Sequence, residues 1–226
     1  MLKVEGISKT YRTSEVETRA IHDISFEIRK GEFVAIMGPS GCGKSTLLNI
    51  LGLLDQADSG NYWLDGANLT GMSEKELTNL RRRSMGFIFQ NFNLIDDLTV
   101  EANVEVGLMY RGVGTARRRK LVKDALEKVG LSHRARHLPK QLSGGQQQRV
   151  AVTRALVSEP QLVLADEPTG NLDTANGEAI MGLLGGLVEA GTTVIMVTHS
   201  QAHAAAANRT FYMLDGRLVS DTLLAA

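Results

Sequence analysis

The chain has 226 residues, 43% of them hydrophobic, and its 25 basic and 25 acidic side chains cancel to a net charge of zero. That length buries a sizeable core, and the composition excludes disorder, a collagen-like repeat and, with only 5% aromatics, a nucleic-acid binder as the first reading. The single cysteine, Cys42, excludes an intramolecular disulfide and a multi-cysteine zinc site, and it fits a reducing, cytosolic setting.

The chain opens as β-structure. Residues 1–11 alternate apolar and polar with no secretory h-region, and in 21–28 Ile24, Phe26 and Ile28 fall on one face. Residues 33–37 are apolar throughout, which suits a strand buried on both faces of a parallel sheet. A glycine-rich turn follows, then helix-like composition over 44–51. Residues 61–64 read as a strand ending at Asp65-Gly66, and Ser73 with Glu76 makes a capping box for a helix carrying Leu77 and Leu80. In the middle, residues 117–130 place Leu121, Ala125, Leu126 and Val129 on one helical face, and Gly130 stops it. A second helix should run from Leu142-Ser-Gly-Gly145 to about Ser158. Residues 162–165 and 193–197 are buried-strand runs flanking a helical stretch over 177–190, and 210–220 closes as a hairpin about Asp215-Gly216. The apolar stretches at 47–54 and 181–188 are broken by glycine and fall short of the roughly 18 to 20 residues of a spanning helix. Strands and helices alternate around a helical insert, which predicts an α/β core with two appendages in one domain.

The chemistry begins at Gly38-Pro39-Ser40-Gly41-Cys42-Gly43-Lys44-Ser45-Thr46, set between a predicted strand and a predicted helix. Its glycines let successive backbone N–H groups turn inward as an anion nest capped by a helix N-terminus, Lys44 adds a mobile charge for the β- and γ-phosphates, and the Ser45 hydroxyl suits Mg²⁺. Cys42, near that N-terminus and Lys44, is expected to carry a reactive thiol without catalytic duty. The run at 162–165 ends in Asp166-Glu167, where ligand sites of α/β sheets lie. In isolation that pair also reads as a helix start before Pro168. Beside the phosphate loop, Asp166 serves the magnesium shell and Glu167 polarises a water that attacks the γ-phosphate in line.

Leu142-Ser143-Gly144-Gly145-Gln146, with the phosphate loop upstream and Asp166-Glu167 downstream, resembles the signature of ATP-binding-cassette (ABC) ATPases, and the resemblance covers essentially the whole chain. It implies a P-loop NTPase (RecA-like) core with an antiparallel β subdomain in residues 1–90 and 158–226, and an α-helical signature subdomain in 91–157. It implies ATP and Mg²⁺ as cofactors and a head-to-tail homodimer, in which Ser143, Gly144, Gly145 and Gln146 of one copy close over ATP held by the other. By the same resemblance Tyr11 stacks on adenine, Gln90 reaches the magnesium, Asp173 links the two sites, and His199 contacts the γ-phosphate, so that Lys44, Glu167 and His199 are the catalytic set. The plainer alternatives are a packing tyrosine at 11, a surface glutamine at 90, a helix N-cap at 173 and a polar strand end at 199. Ser200 stands where aspartate is common and Thr153 where alanine is. His22, His133, His137 and His203 have no partner pattern and are expected to face solvent. Arg81-Arg-Arg83 and Arg117-Arg-Arg-Lys120 read as solvated helix faces, with contact to a membrane protein or lipid headgroups as the alternative.

Residues 91–94, 98–100, 103–106, 110–112, 146–150 and 165–173 resemble one branch, that of the lipoprotein-release (LolD-type), macrolide-export (MacB-type) and cell-division (FtsE) ATPases. It implies separate transmembrane permease subunits, a periplasmic adaptor in some systems, no nucleic acid, and a peripheral place on the cytoplasmic face of the inner membrane. The ending soon after the hairpin reads as a cassette without a regulatory C-terminal domain. The alternative role is an ATP-dependent regulatory module of a cell-division or cell-wall-hydrolase complex that moves no cargo. Ala102 and Gly107 replace a glutamate and a proline frequent in that branch near the expected permease groove.

Overall fold

The computed structural model describes residues 1–12, 14 and 17–223. Two sheets carry the fold. The first is antiparallel, in the order β2-β1-β4-β5, built from β1 (Leu2–Arg12), β2 (Glu17–Ile28), β4 (Ser59–Leu64) and the short β5 (Ala67–Asn68). The second runs β10-β9-β3-β8-β7-β6, from β3 (Phe33–Met37), β6 (Met85–Ile88), β7 (Leu162–Asp166), β8 (Thr193–Val197), β9 (Arg209–Leu214) and β10 (Arg217–Leu223). Its strands pair in parallel except for β10, which folds back as the antiparallel edge.

The all-apolar strands are buried on both faces, and alternate residues go to different cores. Val34 and Ile36 of β3, Leu162 and Leu164 of β7, and Ile195 and Val197 of β8 face α1 (Lys44–Leu51) and the antiparallel sheet, in one cluster with Ile7, Ile24, Leu47 and Phe211. Phe33, Ala35, Val163, Ala165, Val194 and Met196 face the opposite way, onto Ile180 and Leu184 of α6 (Thr174–Glu189) and Val152 and Ala155 of α5 (Gly144–Leu156). A period of two with both faces apolar is what a sheet sandwiched between helical and antiparallel layers requires.

A third cluster is mainly helical: Val100, Val104 and Leu108 of α3 (Val100–Tyr110) pack with Val122 and Leu126 of α4 (Thr115–Lys128) and Val150 of α5. The helix α2 (Glu74–Ser84) starts at the expected Ser73–Glu76 capping box. Besides the two-residue β5, the elements α3, β6 and α7 (Gln201–Ala204) are absent from the sequence reading. In α3 the inward stripe contains Asn103, fully buried, whose amide reaches the carbonyls of Ile95, Leu98 and Thr99 and accepts from the Ile95 N–H. A polar residue at a core position hides the helical period, although its hydrogen bonds are satisfied. Strand β6 is four residues long and includes Gly86, where a Cβ would come within 2.7 Å of the Ala155 carbonyl oxygen. The one-turn helix α7 is too short to show a period and depends on its Ser200 cap. Among the described residues no helix is long and apolar enough to cross a membrane.

Candidate active site

The strand-to-helix turn at 38–45 lies at the carboxyl end of β3, with Asp166 and Glu167 at the end of the next-but-one strand β7 and His199 after the intervening β8. These termini open into one cleft of about 800 Å³, lined by Tyr11, Lys44, Ser45, Gln90, Asp166, Glu167 and His199 among others. Gly38 and Gly43 are required there. Both have positive φ, +147° and +99°, and a Cβ would meet the Met213 carbonyl oxygen at 2.2 Å or that of Ala20 at 2.4 Å. The loop is thus pressed between β2 and the β9–β10 hairpin, whose Gly216 N–H donates to the Cys42 carbonyl at 3.1 Å while the His22 N–H donates to Gly216 at 2.8 Å. The wall of Thr18, Arg19, Ala20, Asp215 and Gly216 completes the cleft. Sequence reading missed it because only the folded chain brings these segments together, and Asp215-Gly216 alone signals no more than a turn.

Lys44 donates from Nζ to the carbonyls of Gly38 and Pro39, both at 2.8 Å, so its ammonium lies over the loop rim beside exposed Ser40 and Gly41. Ser45 Oγ is 3.4 Å from Asp166 Oδ1. Burial lifts the Asp166 carboxyl above its ordinary range and the neighbouring Glu167 adds to that, while Ser45 and Lys44 pull the other way. A half-buried carboxylate beside a hydroxyl, in a cleft that Gln90 also lines, is a hard oxygen donor set that fits Mg²⁺ completed by phosphate oxygens and water. Among the described residues no group of three His, Cys, Asp or Glu could hold a metal on its own.

Glu167 holds a left-handed backbone, φ +46°, an unfavourable state for a residue with a Cβ that costs roughly 1–2 kcal/mol. Its N–H donates to Val197 and its carbonyl accepts from Gly170, each at 3.0 Å, which keeps the turn in place. The turn aims the carboxylate into the cleft, where Oε2 sits 2.8 Å from His199 Nδ1; the glutamate side chain is 15% exposed and the histidine 71%.

Tyr11 lines the cleft and is clamped: its hydroxyl donates to Asp55 Oδ2 at 2.7 Å, while Lys9 Nζ pairs with Asp55 Oδ1 at 2.7 Å and lies 5.3 Å from the tyrosine ring centre. Burial raises the Asp55 carboxyl, but Lys9, Tyr11 and the Gln56 N–H together hold it below the ordinary range. Burial and the bond to Asp55 push the Tyr11 hydroxyl up. If this ring supports the nucleobase, Asp55→Ala should raise KM for ATP about threefold with kcat nearly unchanged, read from steady-state hydrolysis. An unchanged KM would leave Tyr11 as packing.

Other expected site residues lie elsewhere. Cys42 is 4% exposed and its sulfur belongs to the core under the loop, 3.9 Å from Lys44 Nζ, so the expected reactive thiol is covered. Ser143 is the N-cap of α5, paired with Gln146 as a capping box, and with Gly144 and Gly145 it stands outside the Lys44 cleft. A Cβ on Gly145 would strike the Asn176 side chain at 2.4 Å. Asp173 caps α6, accepting from the Asn176 N–H at 2.9 Å and the Asn176 amide at 2.8 Å. Asn171, not singled out in the sequence, ties this segment to the Gln90 carbonyl at 3.0 Å.

Of the four histidines expected to face solvent, only His133 is exposed. His22, His137 and His203 are half-buried; the His22 and His137 rings bond locally, to the Arg19 carbonyl and to Arg134, and the His203 ring bonds to the distant Thr169. Of the basic runs, Arg82, Arg83, Arg117, Arg119 and Lys120 are exposed as expected, whereas Arg81 donates to the Leu53 carbonyl and Arg118 pairs with Glu105 at 2.8 Å. Thr153 is buried and turns its hydroxyl back to the Arg149 carbonyl at 2.7 Å.

The sequence profile of the ABC transporter family matches residues 21–170. The chain belongs to the ABC transporter family. It is 47% identical over 219 residues to the ABC transporter ATP-binding protein YknY of Bacillus subtilis, covering 97% of this chain and 95% of that one. Against the ATP-binding protein MJ1508 of Methanocaldococcus jannaschii it is 49% identical, over 97% of this chain and 98% of the other. The macrolide export ATP-binding/permease protein MacB 1/2 of Paracoccus denitrificans is 47% identical over 98% of this chain, which spans only 33% of that longer protein. The dimeric structure of the ATP-binding cassette MJ0796 in a post-hydrolysis state, bound to ADP and Pi, superposes with a TM-score of 0.94 at 43% identity, covering all of both chains. This ABC protein is an ATPase with the α/β P-loop fold that the sequence predicts.

Proposed function

We propose that two copies of this chain bind two ATP head to tail and use hydrolysis to power a membrane permease of the export, lipoprotein-release or force-transmitting type. The supporting observation is a division of parts. Lys44, Ser45, Gln90, Asp166, Glu167 and His199 line one cleft, while the glycine-flanked N-terminus of α5 at Ser143 is not part of its lining and is left to serve a second copy. Lys44 and the loop N–H groups hold the β- and γ-phosphates, and Ser45, Asp166 and Gln90 hold Mg²⁺, which neutralises charge developing on the transferred phosphoryl group. Glu167 orients and takes the proton from the attacking water. The exposed His199 ring turns from Glu167 towards the γ-phosphate.

The permease surface is the apolar groove of about 440 Å³ between α2, β6 and α3, lined by Leu54, Phe87, Phe89, Gly107 and Tyr110, with the Tyr110 ring 70% exposed at its rim. YknY, matched over nearly its full length, is an ATP-binding protein, and MacB carries ATP-binding and permease parts together.

The test is capture of membrane partners from detergent-solubilised native membranes by the Glu167→Gln protein held with MgATP, followed by mass spectrometry. A permease with few spans and a large periplasmic domain supports the proposal. A many-spanning importer core moves the protein to another branch, a peptidoglycan-hydrolase regulator favours the cargo-free role, and no membrane partner removes the transport claim. Tyr110→Asp should abolish that capture at least tenfold while leaving the ATPase rate of the isolated chain within about twofold; undiminished capture would place the permease elsewhere.

A further inference from the structure

His203 has no partner in the sequence, yet the fold gives it one. The segment after β7 carries Glu167 and Thr169, and the segment after the neighbouring strand β8 carries His199 and His203. Two cross-links join them at nearly equal spacing. Glu167 Oε2 lies 2.8 Å from His199 Nδ1, and the Thr169 hydroxyl lies 2.9 Å from His203 Nδ1. Thr169 is buried, and His203 is half-buried. The segments are also tied at the root, where the Glu167 N–H donates to Val197 at 3.0 Å.

A helix of one turn cannot hold its own position. The place of α7 is set by the Ser200 cap, which accepts the His203 N–H at 3.3 Å, by buried Ala204, and by the bond to Thr169. On its other side the Thr169 segment is gripped by the buried amide of Gln148, which donates to the Pro168 carbonyl at 2.6 Å, and by Asn171 on the Gln90 carbonyl. The Thr169–His203 bond therefore stands where the His199 side of the cleft meets the stretch from Glu167 through Asn171 to Asp173.

We propose that His203 is a positioning residue for ATP hydrolysis, which through Thr169 fixes the Glu167 segment against the His199 segment. When His199 turns to nucleotide and its own bond to Glu167 is given up, the second cross-link keeps the carboxylate in register and passes any displacement on to Asn171 and Asp173. This rests on the roles proposed above for Glu167 and His199. The bond acts on the geometry of attack rather than on nucleotide binding, so its loss falls on kcat and spares KM.

The test is steady-state MgATP hydrolysis by the full chain, with thermal melting of each variant. Thr169→Val, nearly isosteric, and His203→Ala should each lower kcat about five- to tenfold with KM within about twofold. The double variant should be no slower than the worse single one, since both remove the same bond. His203→Asn, whose amide can place a polar atom near the position of Nδ1, should recover most of the rate. An unchanged kcat in Thr169→Val, additive losses in the double variant, or an effect confined to KM would overturn the proposal. If His203→Ala melts early, Thr169→Val and the Asn rescue still decide it. Glu167→Gln and His199→Ala run alongside: retained turnover there breaks the reading of the site itself, whereas loss there with unchanged Thr169 and His203 variants breaks this inference alone.

Discussion

Glu167→Gln is expected to lower kcat for ATP hydrolysis by about 10²–10³-fold, at the scale of losing a positioned general base, while leaving nucleotide affinity nearly intact. The substitution is nearly isosteric. The backbone anchors of residue 167, its N–H to Val197 and its carbonyl from Gly170, do not involve the carboxylate, so the φ of +46° that aims the side chain is kept. The glutamine amide can still meet the His199 ring, which leaves the loss of proton acceptance as the main change. Because bound ATP then survives, the variant should elute as a dimer with MgATP and as a monomer without nucleotide. A stable monomer under MgATP would dismiss the head-to-tail sandwich without touching the fold, and rapid turnover would dismiss Glu167 as the base.

Much of this architecture was legible because its strands are extreme. Runs such as 33–37 and 193–197 have no polar residue to place at a surface except a terminal threonine, so two covering layers were implied, and the structure supplies them on alternate side chains. The phosphate turn was legible for a different reason: its spacing of glycines, lysine and serine serves a local backbone geometry, and local geometry survives translation from sequence. What failed was whatever depends on a distant segment. Asn103 reads as a break in a helical stripe until the carbonyls of the 95–99 turn meet it. Cys42 reads as part of an open anion nest, but its sulfur packs inward with Leu47 and Met213. His203 reads as a surface residue until α7 folds it onto Thr169. The Lys9–Asp55 clamp on Tyr11 spans more than forty residues and leaves no periodic trace.

Lys44→Ala is expected to weaken MgATP binding about 10- to 100-fold and to take hydrolysis below detection at ordinary nucleotide concentrations. The magnitude follows from losing a charge-assisted contact to phosphate, worth about 1.5–3 kcal/mol, in a cleft where no other side chain of the phosphate turn is cationic. Stability should change little. The only oxygens released are the Gly38 and Pro39 carbonyls that Lys44 Nζ now meets, and both lie on a turn that water can reach. The turn itself is held from outside, by the Gly216 N–H on Cys42 and by the close approach of Ala20 and Met213 to its glycines, so it should keep its shape without the lysine. Isothermal titration of MgATP into the variant, beside a melting curve, separates the two effects. Weak binding with an unshifted melt assigns Lys44 to the phosphates. Weak binding with an early melt would mean that its bridge to the loop carbonyls builds the nest, and unchanged binding would move the nucleotide out of this cleft altogether.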